Sequence, residues 1–120
     1  MAKININFFE NETKVKPFAA GETIFSLGEI GEVMYGIQSG SVAVHYEDEV
    51  IRVLEPGDIF GEMSIADKCP RSATAIAKTD CNLVEIDSAT FLFKIQHHPT
   101  FALFVLQTVI ERLRDQTLRR

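Results

Sequence analysis

The sequence predicts a mainly β fold with C-terminal helices: an eight-stranded antiparallel β-roll, or jelly roll, with a short helix within it and a long helix after it. Short β-rich runs punctuated by glycine or proline occupy residues 14–87, and after Asp87 the hydrophobic period changes from two to that of a helix. A chain of 120 residues, 46% of them hydrophobic, has the material for one compact core. We therefore expect one domain over residues 1–120, with the roll at about 14–87 and a helical lid or arm at about 88–118.

Eight segments carry the strand signal, each bounded by turn-forming residues. In chain order they read KVKPF, ETIFS, VMYGIQ, SVAVHY, VIRVL, DIF, ATAIA and NLVEI. In the fourth, Val42, Val44 and Tyr46 share one face, so one side of that strand goes to a core. Six of the seven glycines fall at or beside strand ends, where tight turns are needed. The acidic stretch 47–49 is the expected tip of a hairpin.

Three helices are predicted. Residues 62–66 suit one or two helical turns, Asp87 or Ser88 caps a helix through about His97, and Pro99 begins a helix to about Leu118. Residues 101–106 are apolar nearly all round, so this part of the last helix must be covered on more than one side. The cover is either the same helix of a second copy, which makes a homodimer, or the preceding helix with Phe91 and Phe93. Amphipathicity alone does not separate these alternatives.

Charge and composition exclude several partners. A formal net charge of −5 repels the phosphate backbone of nucleic acid. Cys69 and Cys81 have neither CxxC spacing nor accompanying histidines, so we expect free thiols of a reducing compartment. The N-terminus lacks the apolar core of a signal peptide, and no apolar run approaches the roughly 18 residues that span a bilayer. A soluble, cytoplasmic protein with no direct nucleic-acid or membrane partner is predicted.

The histidines do not predict an enzyme. A metal-binding roll of the cupin type needs several converging ligands, and of His45, His97 and His98 only His45 lies on a predicted strand. Ser88 has no positioned nucleophile turn around it and is better explained as a helix cap. We therefore expect no metal, no cofactor and no catalytic residues.

An anion site is predicted where a strand stops at Phe60 and a helix starts after Gly61. Backbone N–H groups and the positive end of the helix dipole gather at such a point, and a glycine lets a ligand approach the backbone. Pro70 sends the chain into the next strand, so the guanidinium of Arg71 can point back at this site. Its planar fork suits two phosphate oxygens, and Ser72 adds a hydroxyl.

Glu62 adds a second requirement, because a carboxylate repels a phosphate. It fits the site if it accepts a hydrogen bond from a neutral hydroxyl. A ligand that carries a phosphate and a sugar hydroxyl a few ångströms apart satisfies Arg71 and Glu62 together. The alternative is that the two side chains only pair with each other at the edge of the roll.

Two motifs carry a family resemblance. Phe60-Gly61-Glu62-Met63-Ser64 and Pro70-Arg71-Ser72-Ala73-Thr74 resemble the phosphate-binding cassette, with its short helix, of the cyclic-nucleotide-binding domain family. That family includes catabolite activators, regulatory subunits of cyclic-AMP-dependent kinase and nucleotide-gated channels. The resemblance covers residues 14–118 and extends to the glycine-punctuated roll upstream, at Gly21-Glu22, Gly28, Gly31-Glu32, Tyr35, Gly40-Ser41-Val42 and Glu55-Pro56-Gly57-Asp58.

The resemblance implies a role for each site residue. Gly61 and Glu62 would meet the ribose, with Glu62 taking the 2′-hydroxyl, and Arg71 would clamp the cyclic phosphate. Ser72 and the backbone N–H groups around three further residues would help Arg71: Met63, Ser64 and Ala73. The base would lie against Val44 and Ile51. The helix after the roll would close over the base with Arg112, Leu113 or Thr117.

The implied function is a non-enzymatic cyclic-nucleotide sensor whose C-terminal helix moves on binding. Ser72 stands where cyclic-GMP-selective kinase domains of the family have threonine, which favours cyclic AMP over cyclic GMP as the ligand. The alternative is a degenerate roll that binds no nucleotide and serves as a protein-interaction module. Only Arg119 and Arg120 follow the long helix. We therefore expect the chain to act through a homodimer or an unknown effector protein, or to be a piece of a longer protein.

Overall fold

The computed structural model describes residues 4–118, with side chains up to Asp115. The strands are β1 (Lys16–Phe18), β2 (Thr23–Phe25), β3 (Met34–Ser39), β4 (Val42–Tyr46), β5 (Glu49–Leu54), β6 (Ile59–Phe60), β7 (Thr74–Ala77) and β8 (Cys81–Ile86). The helices are α1 (Met63–Ala66), α2 (Ser88–His97) and α3 (Pro99–Leu118). The predicted order of eight strands with one short internal helix and two C-terminal helices is confirmed.

The strands form two antiparallel four-stranded sheets, ordered β1-β8-β3-β6 and β2-β7-β4-β5. Among the described pairings only β4 and β5 are consecutive in the chain. Every other ladder joins strands that are distant in sequence, as in a jelly roll. This wrapping brings the loop before β7 next to the end of β6, although the two are separated by α1.

A hydrophobic cluster fills the space between the sheets. Ile37, Val42 and Leu83 are fully buried there, and each such side chain contributes roughly 1.5–3 kcal/mol by leaving water. At one end the cluster becomes aromatic. The rings of Tyr35 and Phe60 stack with their centroids 5.2 Å apart, and Phe25 lies 5.8 Å from Phe60. This aromatic end borders the cavity described below.

The helices begin where the sequence predicts. The Asp87 carboxylate accepts a hydrogen bond of 2.8 Å from the backbone N–H of Thr90 and caps α2. Because this bond favours the charged carboxylate, it lowers the pKa of Asp87. Pro99 occupies the first position of α3. Among the described residues, no helix combines the length and the apolar character that crossing a membrane requires.

The first half of α3 is covered within the chain. The fully buried ring of Phe101 has edge contacts with Phe8 at 5.3 Å, Phe9 at 6.1 Å and Phe91 at 5.9 Å. Phe91 therefore covers α3 as the intramolecular alternative expects. Phe93 does not: it is 60% exposed and stacks on His97 of its own helix. Phe8 and Phe9 add cover from the N-terminal segment, to which the sequence prediction gave no role.

Polar contacts also fasten the N-terminal segment to the helices. The Lys94 ammonium lies 2.6 Å from the Glu12 carboxylate, and Lys94 is largely buried there. The backbone N–H of Ile4 donates to the side-chain carbonyl of Gln107 on α3 at 3.0 Å. The start of α3 is thus anchored to the roll, to α2 and to residues 4–12.

One turn carries a conformational strain that a mutation can test. Glu47, the first residue of the two-residue loop between β4 and β5, has φ +57°. We expect Glu47→Gly to stabilise the fold by up to about 1 kcal/mol, since the left-handed region is unfavourable by about 1–2 kcal/mol for a residue with a Cβ and glycine's backbone entropy offsets part of the gain. Urea denaturation measures this. Asp48→Gly is the control, because Asp48 has no positive φ, and equal effects of both variants would contradict the prediction.

Candidate functional site

A cavity of about 860 Å³ lies between β4, β5, α1, the loop before β7 and the second half of α3. The predicted phosphate and ribose residues all line it: Gly61, Glu62, Met63, Ser64, Arg71, Ser72 and Ala73. So do four of the five predicted base-contacting residues: Val44, Ile51, Arg112 and Leu113. The side chain of the fifth, Thr117, lies outside the described residues. The fold thus gathers in one cavity predicted residues that are up to 69 positions apart in the chain, from Val44 to Leu113.

Arg71 lies at the inner end of this cavity and is only 7% exposed. Its Nη1 donates to the Ser64 hydroxyl at 2.9 Å and to the carbonyl of Gly61 at 3.4 Å, and its Nη2 donates to the carbonyl of Val33 at 2.8 Å. The ring of Phe25 packs against the guanidinium, with its centroid 4.1 Å from Cζ. Neutral oxygens and an aromatic face therefore hold the charge in place.

Arg71 forms no ion pair with a carboxylate among the described side chains, although the charge of Glu29 acts on it at longer range. Burial lowers the pKa of Arg71, but a guanidinium stays protonated at neutral pH. A buried cation held only by neutral groups is well suited to bind an anion. The alternative in which Glu62 and Arg71 pair with each other is not the arrangement of this structure.

Gly61 makes the turn from β6 into α1. Its φ is +73°, and a Cβ at this position would lie 2.7 Å from Nη1 of Arg71, so both backbone and space require glycine. The backbone N–H of Ser64 donates to the carbonyl of Gly61 at 3.2 Å. Ser64 was expected to offer this N–H to a ligand. Instead the N–H is used within the turn, and the buried hydroxyl positions Arg71.

Glu62 pairs with Arg112 of α3, with 2.7 Å between Oε1 and Nη1. Only 14% of the Glu62 side chain and 19% of the Arg112 side chain are exposed, and Arg112 also donates to the carbonyl of Ile59. The prediction placed Arg112 against a base, whereas the structure places it against Glu62. A second, more exposed pair joins Arg52 of β5 to Asp115 at 3.5 Å. Both pairs fasten α3 across the cavity.

The Glu62–Arg112 ion pair also reduces the repulsion between the Glu62 carboxylate and an anion bound in the cavity. A lone carboxylate would repel an anion bound at Arg71, but the charge of Glu62 is offset by Arg112. A carboxylate has two oxygens and accepts several hydrogen bonds, so Glu62 can hold Arg112 and still accept from a ligand hydroxyl. The cavity therefore combines one region for an anion and one for a hydroxyl. An apolar wall of Val44, Ile51 and Leu54 completes it.

Several cavity residues were missed from the sequence. Phe60 directly precedes the predicted anion site, so its position in the sequence could have predicted that it lines the cavity. Phe25, Val109 and the Arg52–Asp115 pair have no local signal, because sheet wrapping and the crossing of α3 bring them in. No group of three or more His, Cys, Asp or Glu side chains in the described part of the chain is arranged to hold a metal ion.

A β-roll whose cavity contains a buried guanidinium and, apart from it, a carboxylate indicates a class of ligand-binding domains, and sequence comparison supports this class. A family model described as the cyclic nucleotide-binding domain matches residues 15–98. A cGMP-dependent protein kinase of Plasmodium berghei is 44% identical over 77 residues, which cover 62% of this chain and 9% of the kinase. The cyclic AMP receptor protein of Thermus thermophilus is 31% identical over 106 residues, which cover 84% of this chain and 49% of that protein.

Structural comparison agrees. The crystal structure of the Thermus thermophilus catabolite activator protein matches with a TM-score of 0.76 and 31% identity, over 88% of this chain and 52% of that one. The chain belongs to the cyclic nucleotide-binding domain family. It spans at most about half the length of these relatives. The family is regulatory, and its members support a nucleotide-binding sensor module here.

The Glu62–Arg112 pair should restrain the second half of α3, and this can be tested. We expect Arg112→Ala to speed backbone amide exchange in the second half of α3 about tenfold, because the helix loses its contacts to Glu62 and to the carbonyl of Ile59 and opens more often. Hydrogen exchange with mass spectrometry on residues 107–118 measures this. Arg114→Ala is the matched control, since Arg114 is an exposed arginine of the same helix. Equal exchange in the two variants would show that the pair does not restrain α3.

Proposed function

We propose that the chain is a non-enzymatic cyclic-nucleotide sensor, a single domain over residues 1–120 that prefers cyclic AMP to cyclic GMP. The observation that carries this proposal is the buried charge of Arg71 without a carboxylate partner among the described side chains, in the same cavity as Glu62. The free thiols of Cys69 and Cys81 support a reducing, cytoplasmic location.

The cyclic phosphate binds Arg71 in this proposal. The hydrogen bonds of the guanidinium to Ser64, Gly61 and Val33 use three of its five N–H groups. The other two N–H groups have no acceptor among the described residues, and a pair of N–H groups suits bidentate binding of phosphate oxygens. Ser72 and the backbone N–H groups near Met63 and Ala73 complete the phosphate contacts.

The ribose and the base occupy the rest of the cavity. Glu62 accepts from the 2′-hydroxyl while Arg112 holds its carboxylate in place. The base lies against Val44 and Ile51 and is closed in by Leu113 and Arg112 of α3. Thr117, one helical turn beyond Leu113, is retained from the sequence as a further lid position.

The nucleotide preference rests on Ser72, because a serine in place of threonine favours cyclic AMP in the family. The names of the two relatives do not agree on one nucleotide: the Plasmodium berghei protein is named for cyclic GMP and the Thermus thermophilus protein for cyclic AMP. Both nucleotides therefore belong in the same experiment.

Ligand binding reaches α3 through Glu62. The same carboxylate contacts the ribose hydroxyl and Arg112, so a ligand that binds one arrangement of this pair more tightly shifts the population of α3 toward it. In this way the C-terminal helix reports whether the cavity is filled.

Arg71 provides the test of the site. We expect Arg71→Ala to weaken cyclic AMP binding by at least about 100-fold, since two charge-assisted hydrogen bonds of about 1.5–3 kcal/mol each are lost. Calorimetric titration with cyclic AMP, cyclic GMP and 5′-AMP measures this. Arg114→Ala, at an exposed position of α3, is the control and keeps full affinity.

The outcomes separate the two functions. No binding of either cyclic nucleotide to the unmodified chain would favour the protein-interaction module. Undiminished binding by Arg71→Ala would remove the phosphate role of that residue, and tighter binding of cyclic GMP would reverse the preference.

A homodimer through α3 is the proposed route of output, with an unknown effector protein as the alternative partner. Leu106 and Ile110 are 58% and 47% exposed and lie four residues apart on α3. Leu113, which also borders the cavity, follows three residues later, and spacings of four and three are those of a coiled-coil seam. The buried contacts of Phe101 and Phe104 cover only the first half of the helix.

Sedimentation equilibrium tests the dimer. We expect Ile110→Glu to halve the mass of the particle, because a carboxylate in the seam would have to be desolvated. Leu92→Glu is the control, since Leu92 is an equally apolar, 66% exposed residue of α2. A monomer before mutation, or a dimer that survives Ile110→Glu, would leave the effector protein as the partner.

A further inference from the structure

Gly31 lies in the loop between β2 and β3, directly beside Arg71. Residues 28–31 run along residues 69–71: the N–H of Gly31 donates to the carbonyl of Cys69 at 3.2 Å, and the N–H of Arg71 donates to the carbonyl of Glu29 at 2.7 Å. The φ of Gly31 lies outside the left-handed region. Its backbone conformation is therefore open to any residue, and the need for glycine here has another cause.

That cause is space beside the guanidinium. A Cβ on Gly31 would lie 2.4 Å from both Cζ and Nε of Arg71 and 2.6 Å from Oγ of Ser64. These distances are far below van der Waals contact, so a side chain here would displace the guanidinium. The ring of Phe25, 4.1 Å from Cζ, forms a second wall. The guanidinium thus occupies a narrow slot, bounded by the backbone of Gly31 and the ring of Phe25.

We propose that Gly31 and Phe25 are positioning residues for the anion site, which hold the guanidinium of Arg71 in its binding orientation before the ligand arrives. The proposal rests on the function proposed above. An arginine side chain free in solution has several flexible torsions, and ordering them on binding weakens affinity. The slot, with the bonds to Ser64 and Val33, orders them in the folded protein.

Gly31 and Phe25 hold the guanidinium in different ways: Gly31 leaves space for it, and Phe25 contacts it with an aromatic face. Alanine at position 31 narrows the slot and moves the guanidinium away from Ser64, because the three atoms nearest to its Cβ belong to the side chains of Arg71 and Ser64. Leucine at position 25 keeps an apolar side chain in the core but removes the aromatic face against the cation. Tyrosine at position 25 keeps that face.

The experiment is a double-mutant cycle read by calorimetric titration with cyclic AMP. We expect Gly31→Ala to weaken binding about tenfold or more and Phe25→Leu about threefold to tenfold, whereas Phe25→Tyr retains most of the affinity. In the Arg71→Lys background, which has no planar fork to orient, both losses fall below about twofold. Phe18→Leu is the matched control: Phe18 is 8% exposed like Phe25 and belongs to the same cluster, but it does not line the cavity.

The outcomes are distinct. Losses that disappear in the Arg71→Lys background, with Phe18→Leu binding normally, support the positioning role. Losses of equal size in both backgrounds, or an equal loss in Phe18→Leu, overturn it and leave the nucleotide site in place. An unmodified chain that binds no cyclic nucleotide overturns the proposed function and this inference with it. Thermal melting of each variant confirms that the folded protein is being titrated.

Discussion

The burial of one positive charge organises this end of the molecule. Arg71 is nearly inaccessible to water, yet it forms no ion pair with a described carboxylate, and the charge of Glu29 acts on it only at longer range. A charge in that position is unfavourable unless hydrogen bonds replace its hydration, and the surrounding chain supplies them from the Ser64 hydroxyl and two backbone carbonyls. Gly31 and Gly61 leave room for the guanidinium where any side chain would strike it. These local features, which look unrelated in the sequence, serve a single cation.

A second electrostatic contact joins this site to the C-terminal helix. The start of α3 is anchored by Phe101 among the rings of the N-terminal segment, and the far end is held by Arg112 on Glu62. The first anchor is apolar and distant from the cavity, whereas the second is an ion pair on the cavity wall. Under the proposed function only the second would respond directly to a ligand, since Glu62 can contact a ligand and Arg112 together. A helix fixed at one end and held electrostatically at the other can convert binding into movement.

Much of the fold could be predicted because its signals are local. The glycine-bounded runs and the change of period after Asp87 identified the eight strands and the two C-terminal helices of the described chain to within a few residues, and the composition of residues 62–66 identified the short helix. The covering of α3 could not be predicted as well, since an apolar surface does not specify which apolar surface will meet it. Phe91 covers it as expected, Phe93 points away, and the unassigned Phe8 and Phe9 complete the contact.

The sequence by itself determined the turn positions and the Gly61 to Arg71 spacing, because each depends on backbone preference or on distance along the chain. Most of the predicted cavity residues came from the family resemblance that the sequence carries. Only the tertiary structure decided the partners. Glu62 faces Arg112, 50 residues away, and Arg71 is held by Ser64 and by the carbonyl of Val33, 38 residues away. Those choices follow from the crossing of α3 and the wrapping of the sheets. A charged side chain pairs with whatever folding brings within reach, and sequence separation does not encode that distance.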